Sequence, residues 1–145
     1  MKAIRTLSFL LALLSSLEVR AAPLTHHDIK MHLNPVTGAI DLSDKITVQQ
    51  KSEFHFRLAS WLKMTKVLLD GKTVVPVRMT HGWRVVLPND AAHSLYFDIK
   101  GTIPPLPNRA MRGMTGDARA GAEGVFLPGY AAWVPDSGES QISYR

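Results

Sequence analysis

The chain has 145 residues and 46% hydrophobic content, which suits one globular domain and argues against disorder and against several membrane spans. The formal net charge is +5, but the basic residues are scattered along the chain, whereas a nucleic-acid interface needs a concentrated basic face. The sequence has no cysteine, which excludes disulfides, lipid attachment through cysteine and thiol catalysis.

The first 21 residues have the pattern of an export signal. Lys2 and Arg5 precede a short apolar run over 7–14, and Val19–Ala21 supplies residues that are permitted at a cleavage site. The apolar run is shorter than the roughly 20 residues that cross a bilayer. This pattern favours a signal peptide over a buried first helix. We therefore expect a signal peptide over residues 1–21 and a periplasmic or secreted product without a membrane span.

From residue 26 onward, apolar and polar residues alternate, which is the period of a half-buried β-strand. Asp70-Gly71 is a preferred hairpin turn, and Pro76 indicates an edge position or a strand end. Only residues 59–64 fit a short helical turn. The pattern favours an all-β fold, either an antiparallel β-sandwich or a curved sheet. Strands are predicted at 27–33, 39–42 with 46–48, 53–58, 67–69, 74–75, 83–87 and 94–101.

The amino-acid composition changes after Thr102, where proline and glycine become frequent and few residues could pack in a core. We expect a β-sandwich core over 22–103, a Pro/Gly-rich surface loop over 104–124, and a return of the β-domain over 125–145. The final residues, Ile142–Arg145, have the pattern of a strand that has just begun. We therefore expect the chain to be the front part of a longer protein.

Six histidines raise the question of a metal site, but none is followed by glutamate, so the helical H-E-x-x-H motif of zinc peptidases is absent from the sequence. His26 and His27 would point to opposite faces of a strand. A site assembled from His55, His81 and His93 would need distant segments to meet. The simpler interpretation is that the strand histidines face the solvent, and we predict no metal ligand.

Other catalytic patterns are equally weak. No G-x-S-x-G nucleophile elbow occurs, and the glycines of 116–121 lack the Lys-Ser/Thr that a phosphate loop needs. The carboxylate pairs, Asp41 with Asp44 and Asp117 with Glu123, lie in turn-like sequence and are interpreted as ordinary surface acids. We therefore predict no catalytic and no cofactor-binding residue.

Two tryptophans are candidates for stacking on a ligand. Trp83 follows a His-Gly pair at a predicted strand start, and Trp133 lies in a Pro-rich and aromatic block. Exposed tryptophans stack on sugars in carbohydrate-binding sandwiches, although burial in the core or at an edge is the more common position of such a residue.

Residues 27–35, which read HDIKMHLNP, resemble the first strand of zinc aminopeptidases of the membrane alanyl aminopeptidase (gluzincin) type. In that family the strand has His or Tyr, then Asp, then alternating apolar residues, and it ends near a proline. The likeness rests on the alternation of apolar and polar residues in the strands and on short matching segments, none of which is as specific as a metal-binding motif. It continues through residues 54–58, 67–71, 95–101, 124–128 and 133–135.

The resemblance implies a saddle-shaped β-domain that precedes a thermolysin-like catalytic domain and helps to wall its substrate cleft. In the family, the catalytic domain carries H-E-x-x-H, a third glutamate ligand and a Gly-x-Met-x-Asn segment. This sequence contains none of them, and residues 113–116 lack the Asn and the acid that hold the substrate amine. No functional residue of the family is therefore transferred to this chain.

The resemblance thus implies a non-catalytic scaffold whose partner is a catalytic domain, with zinc and peptide substrate expected only there. Whether the chain belongs to an enzyme depends on that domain. The alternative is a stand-alone periplasmic sandwich that binds glycans or peptides with Trp83 and Trp133. A third interpretation is a degenerate relative that acts as an interaction module. No nucleic-acid partner is expected.

Overall fold

A computed structural model describes residues 25–49, 52–105, 118–122, 124–138 and 142–144. Residues 142–144 are described by their backbone alone. The predicted signal peptide lies outside these residues. The described residues form eleven strands and one short 3-10 turn at Gly129–Ala131. The strands are β1 (Thr25–Leu33), β2 (Ala39–Val48), β3 (Glu53–Phe56), β4 (Leu62–Leu69), β5 (Lys72–Thr73), β6 (Val77–Met79), β7 (Gly82–Val86), β8 (His93–Thr102), β9 (Arg119–Gly121), β10 (Gly124–Phe126) and β11 (Ile142–Tyr144).

The strands form three open sheets. The large sheet has six strands in the order β11-β1-β2-β8-β4-β5, the small sheet has the order β3-β7-β6, and β9 pairs with β10. Neighbouring strands are antiparallel except for β1 and β11, which run parallel. The prediction of an all-β fold built from antiparallel sheets is confirmed.

The core lies between the large and the small sheet. Every second residue of β8 is buried from His93 to Ile99, and β2 buries Ile40 through Val48 in the same alternation. Phe56 of β3 meets Phe97 of β8 edge to face, with ring centroids 5.1 Å apart. Because each strand contributes one apolar face, the two sheets exclude water between them.

Several local predictions can now be compared with the structure. Asp70 and Gly71 both have positive φ, so the predicted hairpin turn is confirmed. The helical turn predicted over 59–64 is wrong, because β4 begins at Leu62 and pairs with β8. The expectation of little packing after Thr102 is also wrong at Ala118 and Ala120, which are buried in the core. The domain boundaries proposed from the sequence stay predictions.

One segment from the later part of the chain lies beside the end of β3. Backbone hydrogen bonds join Arg57 and Asp136 in both directions, at 2.8 and 3.0 Å, and Ala59 N donates to Ala132 O at 2.8 Å. The segment around 132–136 therefore lies along the continuation of β3. No helix in the described part of the chain is long and apolar enough to cross a membrane.

Candidate ligand-binding cleft

An open cleft of about 380 Å³ lies between the β6–β7 hairpin, the end of β3 and the segment that follows Pro135. This volume falls in the range of small-molecule sites, which begins at about 300 Å³. Phe56, Met79 and Trp83 contribute the apolar part of its lining, and the other described lining residues are polar. The described lining residues are His55, Phe56, Arg57, Met79, Thr80, His81, Trp83, Asp136 and Ser137.

The strand register places two aromatic side chains next to the cleft, of which Phe56 is buried in the core and Trp83 is half-buried. Phe56 lies opposite Trp83 in the antiparallel pair of β3 and β7, so both rings point to the same side of the small sheet. Gly82 has φ +138°, and a Cβ there would lie 2.4 Å from the Phe56 carbonyl oxygen. A glycine is therefore needed for the β6–β7 hairpin to approach β3 this closely.

The polar side of the cleft centres on Arg57 and Asp136. The Arg57 guanidinium donates to Asp136 Oδ2, and Gly138 N donates to Oδ1 of the same carboxylate at 2.8 Å. Both oxygens of Asp136 thus already accept hydrogen bonds from the chain. Ser137 Oγ is buried and has no hydrogen-bond partner within the described residues.

The two predicted stacking residues do not share this cleft. Trp83 lines it, but the Arg78 guanidinium lies over the indole ring at 4.7 Å from the centroid. Trp133 is half-buried, packs against the core and is not among the described lining residues. A stacking role for either residue stays a prediction, and at Trp83 it would require Arg78 to leave one face of the ring.

The histidines fall into different environments. His55 and His81 are exposed and line the cleft, whereas His93 is buried elsewhere. No group of three possible metal ligands occurs among the residues that the structure describes. Of the three histidines considered as a distant metal site, His55 and His81 thus share the cleft, but His93 is not brought to them.

The prediction of solvent-facing strand histidines is wrong for His27 and His93. His27 is fully buried in β1, with Nδ1 at 2.7 Å from Asp44 Oδ2, while its neighbour His26 is half-buried on the other face. His93 is buried at the start of β8, with Nδ1 at 2.7 Å from Asp70 Oδ2. A carboxylate partner makes each burial possible, because a paired polar group avoids the desolvation penalty of an unpaired one.

The prediction that Asp44 is a surface acid is also wrong. Asp44 lies inside β2 among the core-facing residues, and burial raises its pKa above the ordinary value of 3.8 although the hydrogen bond from His27 opposes this. Asp41, by contrast, is exposed as predicted and forms an ion pair with Lys100 at 2.8 Å, which raises the pKa of Lys100. Asp117 and Glu123 lie outside the described residues.

A second open cavity, of about 600 Å³, lies at the turn between β1 and β2. It is lined by His32, Asp41 and Lys100, together with residues of the β1–β2 turn around Pro35. Its charged groups are exposed and already paired, as Asp41 and Lys100 illustrate. This cavity offers little that would select a ligand.

Sequence reasoning missed the cleft and both buried His–Asp pairs. Residue spacing did carry one signal, because His27 and Asp44 fall on the same alternation as the apolar residues of their strands. The cleft had no such local signal, since Arg57 and Asp136 are 79 residues apart in the sequence.

Comparisons with known proteins give a likeness in structure alone. No protein-family model matches the chain, and no curated protein matches it in sequence. Among solved structures, the M1 zinc metallopeptidase from Deinococcus radiodurans matches with a TM-score of 0.63 and 16% identity, over 86% of this chain and 31% of that one. A two-domain M1 zinc metallopeptidase mutant bound to L-arginine matches with a TM-score of 0.64 and 15% identity, over 83% and 31%.

A further two-domain mutant, bound to L-tryptophan, matches with a TM-score of 0.61 and 18% identity, over 86% of this chain and 32% of that chain. The chain therefore spans about a third of the length of the structures that it resembles. At such identities, the comparison establishes that this chain has the fold of a part of M1 zinc metallopeptidases.

Proposed function

We propose that the chain is the non-catalytic N-terminal β-domain of an exported zinc metallo-aminopeptidase-like protein, and that it scaffolds a catalytic domain. The observation that carries this proposal is the extent of the structural likeness, which includes 86% of this chain but only 31% of the D. radiodurans enzyme. Such proportions fit one domain of a larger protein. In this proposal, zinc and peptide cleavage belong to the catalytic domain.

An exposed apolar surface supports the need for a protein partner. Val77 and Met79 of β6 share a face of the small sheet with Val86 of β7, because Val77 lies opposite Arg84 in the register. These three side chains and the nearby Val75 are exposed. Grouped exposed apolar residues commonly mark contact surfaces. We infer that this surface is where a catalytic domain would pack.

Export to the periplasm is part of the proposal and rests on the leader pattern of residues 1–21. Cell fractionation of a tagged chain tests it. We expect the tag in the periplasm, and we expect Leu10→Arg to retain it in the cytoplasm, since a charge interrupts the apolar core of the leader. Cytoplasmic wild-type protein would contradict export without affecting the scaffold role.

Two experiments test the scaffold role. Reading the gene past codon 145 should reveal an in-frame H-E-x-x-H, whereas a natural stop codon directly after Arg145 would contradict the proposal. In addition, the purified chain over residues 22–145 should not hydrolyse aminoacyl-arylamides. Turnover that a chelator abolishes and zinc restores would place catalysis in this chain and overturn the assignment.

A stand-alone glycan- or peptide-binding sandwich is the second candidate function. The presence of Trp83 in an open cleft favours it. Saturable binding of a glycan or peptide that Trp83→Ala abolishes and Trp133→Phe preserves would support it. Absence of any binding would leave the scaffold role as the function of this chain.

A further inference from the structure

The outer edge of β6 has backbone groups that no neighbouring strand uses. β6 is the last strand of the small sheet and pairs only with β7 in the described part of the chain. Met79 and Gly82 lie opposite each other across a two-residue turn, so they form a hydrogen-bonded pair, and Arg78, one residue earlier, does not bond to β7. The N–H and C=O of Arg78 therefore point away from β7, and no described residue forms a backbone hydrogen bond with them.

The side chains on both faces of this edge are open to contact. Val77 and Met79 are exposed on the outer face of the small sheet. Arg78 is exposed on the other face, where its guanidinium lies over the Trp83 ring. The indole has no charge, and Arg78 forms no ion pair with any residue that the structure describes. The edge thus presents an apolar, a cationic and an apolar side chain in succession.

These features restrict what can cover the edge. A partner that buries Val77 and Met79 also buries the N–H and C=O of Arg78, and a buried backbone group without a hydrogen bond is costly. An apolar side-chain surface offers no such bonds, whereas an extended segment supplies both of them when it adds a strand to the sheet. Pro76, which has no N–H, and the turn after Met79 limit the added strand to a few residues.

The position of Arg78 determines which charge suits the added strand. In an antiparallel pair, the residue directly opposite Arg78 has its side chain on the same face, and its two neighbours lie on the face of Val77 and Met79. An opposite charge at that position is favourable, and a like charge is unfavourable. A second copy of β6 would place two Arg78 side chains opposite each other, which disfavours self-pairing.

We propose that the edge of β6 binds an extended protein segment in which an acidic residue stands between two apolar residues. The backbone of the acidic residue exchanges both hydrogen bonds with Arg78, its carboxylate faces the Arg78 guanidinium, and its apolar neighbours cover Val77 and Met79. This inference rests on the proposed function and deepens it, because such a segment would belong to the partner domain that packs on this surface. The search of the gene for H-E-x-x-H tests the scaffold role separately, so either idea can fail alone.

The test is a titration of the purified chain over residues 22–145, followed by the chemical shifts of its backbone amides. The probe is the capped peptide acetyl-Thr-Val-Glu-Val-Thr-amide. One matched peptide has lysine in place of glutamate, and another has an N-methyl group on the glutamate amide. We expect saturable binding of the glutamate peptide, with the largest shift at Arg78 N–H. The lysine peptide should bind at least about threefold more weakly, since an attraction becomes a repulsion. The N-methyl peptide should also lose about threefold or more, since the donor to Arg78 C=O is removed.

One variant and one control locate the binding. Arg78→Glu should reverse the preference, so that the lysine peptide binds more tightly than the glutamate peptide. Lys72→Glu, which reverses an exposed charge on β5 of the other sheet, should leave the preference unchanged. No saturable binding of the glutamate peptide, equal affinity for the glutamate and lysine peptides, undiminished binding of the N-methyl peptide, or an unchanged preference in Arg78→Glu would overturn the proposal. Self-association through β6 in place of peptide binding would identify a second copy as the occupant and would overturn it as well.

Discussion

The Nδ1 atom of His27 lies 2.7 Å from Oδ2 of Asp44, and both side chains are closed to solvent on the core-facing side of the large sheet. Asp44 stands between Leu42 and Ile46 in β2, where an apolar residue is expected. Its second oxygen, Oδ1, accepts no hydrogen bond from the described residues. A polar pair thus replaces apolar packing at the centre of the core, and stability depends on its protonation.

The stability of the Asp44→Asn variant, relative to that of the wild type, should increase as the pH rises. Burial raises the pKa of Asp44 above 3.8, so the folded state holds this proton more tightly than the unfolded state does. Stability is therefore lost in the wild type as the pH rises from 3.8 through the folded-state pKa, whereas asparagine cannot ionise. The free energy of unfolding of the variant, relative to wild type, should increase between about pH 4 and pH 7 in urea titrations.

The matched control for this prediction is Asp41→Asn, which removes an exposed acid from the same strand. Its effect should be small and nearly constant over the same pH range, because exposed ion pairs contribute about 0–1 kcal/mol. A difference between Asp44→Asn and wild type that stays constant or decreases with pH would contradict a buried, ionisable Asp44.

The pair of His93 and Asp70 should stabilise the protein in a window of mildly acidic pH. The hydrogen bond with Asp70 raises the pKa of His93, and hydrogen bonds from Ser94 N and His93 lower the pKa of Asp70. The contribution of Asp70 to stability is present above pH 3.8 and is lost as the pH falls through its folded-state pKa. The contribution of His93 to stability is full below pH 6.5 and is lost as the pH rises through its folded-state pKa.

His93→Gln should therefore reduce the urea midpoint most between about pH 4 and pH 6.5, and less at about pH 9. The second ring nitrogen lies 3.1 Å from the Asn89 carbonyl oxygen, so both nitrogens face acceptors, as a protonated ring requires. His32→Gln is the control and should shift the midpoint little at any pH. A loss at pH 9 as large as that at pH 5 would mean that packing, rather than charge, explains the effect.

Gly101→Ala should destabilise the protein for steric reasons alone. A Cβ at Gly101 would lie 2.4 Å from the Trp61 carbonyl oxygen and 2.9 Å from Leu62 Cδ2, and a backbone oxygen in a sheet cannot easily move aside. We expect a loss of about 1–3 kcal/mol in the free energy of unfolding. Gly129→Ala has nothing within 4 Å of the new Cβ and should change stability by less than about 0.5 kcal/mol. Equal effects of the two substitutions would contradict the close approach of β4 to β8.

Phe97→Ala should be among the most destabilising core substitutions. Phe97 is fully buried and packs edge to face on Phe56, so truncation removes both apolar burial and a contact between the two sheets. Phenylalanine-to-alanine changes in cores cost about 3–5 kcal/mol, measurable by chemical denaturation. Val75→Ala, at a side chain that is 87% exposed, should stay within about 0.5 kcal/mol. A loss below about 1 kcal/mol for Phe97→Ala would contradict the face-to-face packing of the sheets.

The fold was largely predictable because alternation is a local property. Leu95, Phe97 and Ile99 were expected on one face of a strand, and all three are fully buried. The same rule holds less well in β1, where Met31 is 43% exposed although it shares the face of Ile29. Alternation fixes which residues share a face, but the cover over that face depends on the rest of the fold.

The site was far less predictable, because its parts meet only through tertiary structure. Arg57 and Asp136 have no pattern in common along the sequence, and their contact depends on the return of a distant segment to the end of β3. The prediction that the strand histidines face the solvent failed for a related reason. His and Asp residues are usually exposed. His27 and His93 are buried because each pairs with an aspartate that is distant in the sequence, Asp44 at 17 residues and Asp70 at 23 residues.

The parallel pairing of β1 with β11 has a consequence for the order in which the protein acquires its structure. Thr25 to His27 align with Ile142 to Tyr144, so β11 covers the edge of β1 that faces away from β2. A chain emerging from the ribosome therefore exposes this edge until residue 144 has appeared. Sequence-distant pairing of this kind slows folding and leaves an intermediate with an open strand edge, which is a surface that can pair with another chain.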